Sequence, residues 1–142
     1  MMNKIQRSNR LLRIFGLIFS LVGCVSLGPN ATYDMATTSF NYDPSYNSYM
    51  VKMNNSVIGG GFGNATLTSS IKVGEQVITW KNANTGEKHT ANNQVILTKE
   101  QLKGKKYLAV HIYPDDTVEI TISNNWPIPT EKGLSILDQL RR

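Results

Sequence analysis

The stretch Tyr107-Leu108-Ala109-Val110-His111-Ile112-Tyr113-Pro114-Asp115-Asp116-Thr117-Val118-Glu119-Ile120-Thr121-Ile122-Ser123 decides the fold. Leu108, Val110 and Ile112 alternate with Ala109, His111 and Tyr113. Val118, Ile120 and Ile122 alternate in the same way with Glu119, Thr121 and Ser123. A period of two marks a strand with one buried face. Pro114-Asp115-Asp116 between the runs is a tight turn, because Pro presets φ and an Asp side chain bonds nearby backbone amides. The stretch therefore predicts an antiparallel hairpin with one apolar face.

Upstream of it, further short strands are expected. Thr32 to Tyr42 is rich in Thr, Tyr and Phe and has no Lys or Glu, which predicts a first strand. Asp43-Pro44-Ser45 turns the chain. Tyr49, Val51 and Met53 alternate with Met50, Lys52 and Asn54, so the first three should share a buried face. Asn54-Asn55 is a turn before Val57-Ile58, and Ala65 to Ser70 is small and tolerant of strand geometry. Val77 to Lys81 predicts a strand with Ile78 and Trp80 on one side. Asn82 to Gly86 forms a hairpin loop by composition, and Glu87 to Leu97 returns. Thr98-Lys99-Glu100-Gln101 has capping-box form with Gly104 as terminator, enough for one or two helical turns.

Downstream, Pro127 and Pro129 break regular structure. Glu131 to Arg142 predicts a short helix with Leu134, Leu137 and Leu140 on one stripe, stable only when packed. About seven short strands with frequent turn signals make an all-β antiparallel sandwich, closed by that C-terminal helix. Residues 31–142 are expected to form one such domain.

The N-terminus reads differently. Leu21-Val22-Gly23-Cys24 resembles the lipobox of bacterial lipoprotein precursors. Lys4, Arg7, Arg10 and Arg13 precede it without an acidic residue, and Ile14 to Val22 is mainly apolar. That run suits a signal peptide and is shorter than the roughly 20 residues of a bilayer span. Residues 1–23 are thus expected to be cleaved, Cys24 acylated, and residues 24–30 to form a tether containing Gly28-Pro29. Each buried methylene of the acyl chains contributes about 0.8 kcal/mol to anchoring. No Asp follows Cys24, which favours the outer over the inner membrane, with the domain facing the periplasm.

The formal charge of +5 is concentrated in this leader, since four of the 15 basic residues and none of the 10 acidic ones lie there. The nearly neutral remainder gives no basic face for nucleic acid. Cys24 is the single Cys. Once acylated, it leaves no disulfide, thiol nucleophile or Cys-ligated metal site.

Motifs that carry chemistry are sparse. There is neither a Gly-x-Ser-x-Gly elbow nor a His-Glu-x-x-His pair, and no cofactor or metal site is expected. The imidazoles are His89 and His111. His111 reads as a half-exposed strand residue with Asp115, Asp116 or Glu119 nearby, and His89 as a surface residue beside a loop. No nucleophile accompanies either, so no catalytic residue is assigned. Gly59-Gly60-Gly61-Phe62-Gly63 lacks the Lys-Ser/Thr of a phosphate loop. It reads as a bulge or wide turn needing positive φ, or as a loop presenting Phe62 for contact.

The order of these features resembles a family of small bacterial lipoproteins built on a domain of unknown function. The resemblance covers most of residues 31–126. It rests on the Thr/Tyr-rich first strand, Gly59-Gly60-Gly61, Val77-Ile78-Thr79-Trp80 and the Val110-His111-Ile112-Tyr113-Pro114-Asp115 hairpin. Many members carry two Cys shortly after the Gly triplet, where this chain has Thr66 to Ser70. Some members are encoded beside type VI secretion phospholipase effectors and act as their immunity proteins. The resemblance implies a lipid-anchored inhibitor that blocks a lipase by stoichiometric, non-covalent binding. Its expected contact residues are Ile58, Gly59, Gly60, Gly61, Phe62 and Asn64, then Asn84, Thr85 and Lys88, then Asp115 and Asp116, with Phe62 as the anchor. A structural lipoprotein of a secretion or envelope assembly is the alternative, as is an inhibitor of another hydrolase such as lysozyme.

Overall fold

The computed structural model describes residues 31–142; the leader, Cys24 and the tether lie outside the described residues. The hairpin forms with the register its alternation predicts. Strands β9 (Tyr107–Ile112) and β10 (Val118–Ser123) pair antiparallel from Ile112 opposite Val118 to Tyr107 opposite Ser123. The Asp115 carboxylate closes the turn by accepting from the Thr117 amide at 3.0 Å and its hydroxyl at 2.6 Å.

Thr32–Asn41 forms β1, which lies at the centre of a four-stranded sheet ordered β10-β9-β1-β4, with β4 spanning Leu67–Lys72. The β1–β4 pairing is antiparallel, but β1 and β9 run parallel, Ala36 opposite Tyr107 through Asn41 opposite Ile112. A second sheet contains β2 (Ser48–Met53), β3 (Ser56–Val57), β6 (Ile78–Asn82) and β7 (Lys88–Thr90), in the order β3-β2-β6-β7. Two three-residue strands, β5 (Gly74–Gln76) and β8 (Val95–Leu97), pair beside it. The helices are α1 (Lys99–Leu102), with the capping box of Thr98 and Gln101 formed, and α2 (Glu131–Arg141).

The main core joins the sheets through Met35, Val51, Met53, Ile71, Ile78 and Trp80, with Leu108, Val110 and Ile112 from β9. Among the described residues ten strands form, more than expected: Gly74–Gln76 adds one, and the predicted return from Glu87 to Leu97 divides. Its first part pairs with β6 and its second with β5, the chain leaving one sheet for the other after Ala91 donates to the Ile78 carbonyl.

Three packing expectations fail. First, β9 is buried on both faces. Ala109 and Tyr113 join a second apolar cluster with Phe40, Tyr42 and Leu137, beneath α2. Second, Leu134 and Leu140 are about half exposed, while Gly133 and Leu137 are the buried residues of α2. The Tyr42 ring occupies the space where a Cβ on Gly133 would stand, so the helix approaches the sheet closely along its glycine side. Third, Tyr49 is exposed while Val51 and Met53 are buried, because a bulge between Tyr49 and Lys52 breaks the alternation. Met50 at the bulge takes a φ of 49°.

The centre of β1 is polar yet fully buried at Thr37, Thr38 and Ser39. Burying a hydroxyl costs stability unless it finds a partner. Thr37 donates to the Leu67 carbonyl at 2.9 Å, Thr38 to Ala65 at 2.9 Å, and Ser39 to Gly59 at 2.8 Å. These bonds fasten the glycine-rich loop to the central strand.

Candidate functional site

Parallel pairing sets Phe40 beside His111, with Tyr42 and Tyr113 further along the same face. The rings stack nearly parallel. Phe40 and His111 have centroids 5.0 Å apart, Tyr42 and His111 5.9 Å, and Tyr42 and Tyr113 5.4 Å. Phe62 then meets the stack edge-on, 5.1 Å from Phe40 and 5.6 Å from Tyr42. Edge-to-face contacts of this kind hold an aromatic more firmly than burial alone. Gly63, at φ 80°, leaves the space into which the tip of the Phe40 ring fits. Phe62 is therefore not a freely mobile anchor: one side is docked, and 40 % of it remains exposed.

A hydrogen-bonded chain runs along this stack. The Thr130 amide donates to the Tyr42 hydroxyl at 3.0 Å, and that hydroxyl lies 2.8 Å from His111 Nδ1. His111 Nε2 lies 2.8 Å from the Thr121 hydroxyl, so each ring nitrogen has one hydroxyl partner. Desolvation pushes its pKa down to about 4, partly opposed by the Glu119 charge. Thr130, the N-cap of α2, accepts from the Gly133 amide at 2.9 Å and contacts the Tyr113 hydroxyl at 3.0 Å. Tyr113 donates to Glu119 at 2.6 Å, and burial together with that bond raises its pKa to about 12. The expectation of a half-exposed His111 is thus corrected: α2 and the aromatic stack remove it from solvent, and it is fully buried.

His89 is likewise not a surface residue. Its ring stacks on Tyr46 at 5.1 Å and on Trp80 at 5.5 Å, and Nδ1 lies 3.0 Å from an Asp116 carboxylate oxygen. Trp80 donates to the Tyr46 hydroxyl at 2.7 Å. Of the carboxylates expected near His111, Asp116 therefore serves His89, while Glu119 does stand opposite His111 in the hairpin.

Next to Phe62 opens a groove of about 650 Å³. Its walls are Phe62 and Gly61, the loop from Asp43 to Ser48, and Leu134, Leu137 and Arg141 of α2. Its lining mixes apolar residues with Asp43 and Arg141.

Of the contact residues expected from sequence, Gly61, Phe62 and Asn64 reach solvent, while Ile58 and Gly59 are buried. Gly60 is half-buried, its carbonyl accepting from the Ala65 amide at 3.3 Å. Ile58 and Gly59 are corrected to internal residues that hold the loop. Asn84, Thr85 and Lys88 are exposed at the β6–β7 hairpin, away from the groove lining. Asp115 is exposed, its carboxyl held below the usual range by the Thr117 hydrogen bonds. Asp116 is half-buried and faces His89, which corrects its reading as a contact residue.

Sequence reasoning missed the Asp43–Ser48 loop and the exposed side of α2. The first carried a signal, since Tyr42 and Tyr46 flank Pro44 and bulky aromatics around a turn often pack something. Among the described residues no group of three or more His, Cys, Asp or Glu side chains is placed to hold a metal ion. Comparison of the chain with protein-family models, with curated proteins and with solved structures finds no match.

Proposed function

We propose that this chain is a lipid-anchored immunity protein of the periplasm that binds a lipase and blocks it without covalent chemistry. The observation that carries this reading is the groove beside Phe62. A half-exposed aromatic, clamped by a stacked layer and bordered by Leu134, is pre-organised for contact, so little side-chain entropy is lost on docking. A lipase handles acyl chains, and the mouth of its site is apolar, which matches such an anchor. Both imidazoles are engaged in internal contacts, which favours a binding role over catalysis. Acylation at Cys24 concentrates the inhibitor at the surface where phospholipid is attacked.

The test is to identify a lipase among the neighbouring open reading frames and titrate it with this chain, with phospholipid hydrolysis as readout. Activity should fall in proportion to added inhibitor and vanish at equimolar ratio. Phe62→Ala should weaken inhibition by about 2 kcal/mol, roughly thirtyfold, while far-UV circular dichroism stays unchanged. Undiminished hydrolysis at excess inhibitor would sink the proposal. A deletion strain that loses secretion, and shows no new sensitivity to the lipase, would assign the structural role instead.

A further inference from the structure

The outward face of β2, β6 and β7 carries a basic pocket. Lys81 pairs directly with Lys88, and Thr79 pairs with Lys52 on one side and Thr90 on the other. Directly paired residues project to the same face of a sheet, so these five side chains form one patch. They line a cavity of about 240 Å³, with Met50 on its wall. Like charges placed opposite each other in a ladder destabilise it. Among the described residues none of the three lysines has an ion-pair partner. Glu87, next to Lys88 in sequence, inclines instead toward His89, with 3.9 Å between Glu87 Oε1 and His89 Nε2. Met50 holds a left-handed φ of 49°, which costs an L side chain about 1–2 kcal/mol. Strain of that kind concentrates at ligand sites. Fold stability does not account for the paired lysines, and the β-bulge that sets the Met50 backbone places it on the wall of the same pocket.

We propose that this pocket binds a phosphate group. Three lysines and two threonines border a concave space with room for a phosphate and part of the alcohol it esterifies. A dianion matches this charge better than a single carboxylate, and lysine binds phosphate as a point charge. The phosphate belongs either to a lipid headgroup or to a soluble ester. The pocket and the groove share no lining residue, so this site does not depend on the inhibitor reading.

Amine-reactive footprinting of the full chain, read by mass spectrometry, tests it. In detergent micelles, inorganic phosphate is compared with chloride at equal ionic strength. In phosphatidylcholine vesicles, the comparison is with and without phosphatidylglycerol. Lys52, Lys81 and Lys88 should be protected while Lys72 and Lys99 are not. Protection by inorganic phosphate alone supports the site with a soluble ester as its source; protection by anionic vesicles alone supports it with the headgroup as its source. Equal labelling under every condition overturns the proposal, and so does uniform protection of all lysines. Lys88→Glu should lower phosphate affinity at least about tenfold. The same change should raise the melting temperature by about 1–4 °C by removing the opposed charges. Retained protection of Lys52 and Lys81 in that variant also overturns it.

Discussion

His111 is neutral inside the protein because burial pushes its pKa down to about 4 from the ordinary 6.5. In the unfolded chain the same imidazole takes up a proton near the ordinary value. Between those two values the unfolded state binds a proton that the native state refuses, so stability falls as the pH drops through that window. The loss reaches about 3 kcal/mol near pH 4, and above the window none remains. Urea unfolding above and below the window measures it, and His111→Gln, which cannot titrate, should flatten that slope. Gly133 offers a second test at this scale. Alanine is the better helix former by about 1 kcal/mol, yet its Cβ would meet the Tyr42 ring, so Gly133→Ala should destabilise by about 1–3 kcal/mol in urea. Neither environment was legible in the sequence. His111 alternates with apolar neighbours as an exposed strand residue does, and only the helix packed over it makes the difference. Gly133 carries no signal in the sequence, because the ring that needs its missing Cβ is far away in the chain.

At the scale of elements, local pattern succeeded where partners are near in sequence. The β9–β10 hairpin, the Asn82–Gly86 loop and the Thr98 cap all form, because each rests on alternation or on a side chain bonding its own backbone. The parallel β1–β9 pairing was illegible for the opposite reason. Thr37, Thr38 and Ser39 look like an exposed polar run, and their burial depends on carbonyls 20 to 30 residues away. The candidate groove was half legible: Phe62 stood out beside glycines, but its neighbours on α2 looked like core. The Asn54-Asn55 turn yields a paired expectation. Both residues have positive φ, and Asn54 also bonds Gln76 and the Val77 amide. Asn55→Gly should therefore stabilise by a few tenths to about 1 kcal/mol, since glycine takes that backbone freely. Asn54→Gly should destabilise by about 1 kcal/mol through the lost bonds. Thermal melts of the two variants separate these outcomes by sign.

Across the whole molecule, the central sheet carries a core on each face, one beneath the second sheet and one beneath α2. A chain ending at Pro129 would lay bare Phe40, Tyr42 and Tyr113 and lose Thr130, the partner of the Tyr42 and Tyr113 hydroxyls. Losing that layer should cost about 3–5 kcal/mol, a large part of what a domain of this size holds. Binding of a hydrophobic dye and loss of near-ultraviolet circular dichroism would report it, and an unchanged urea midpoint would refute it. The parallel pairing has one more effect. Asn41 closes only against Ile112, so a polypeptide emerging N-terminus first, from a ribosome or through a translocation pore, can zip the start of β1 onto β4 early but keeps its far end waiting. The sheet cannot shut until Ser123 has passed. Such a molecule stays part-open for most of its journey.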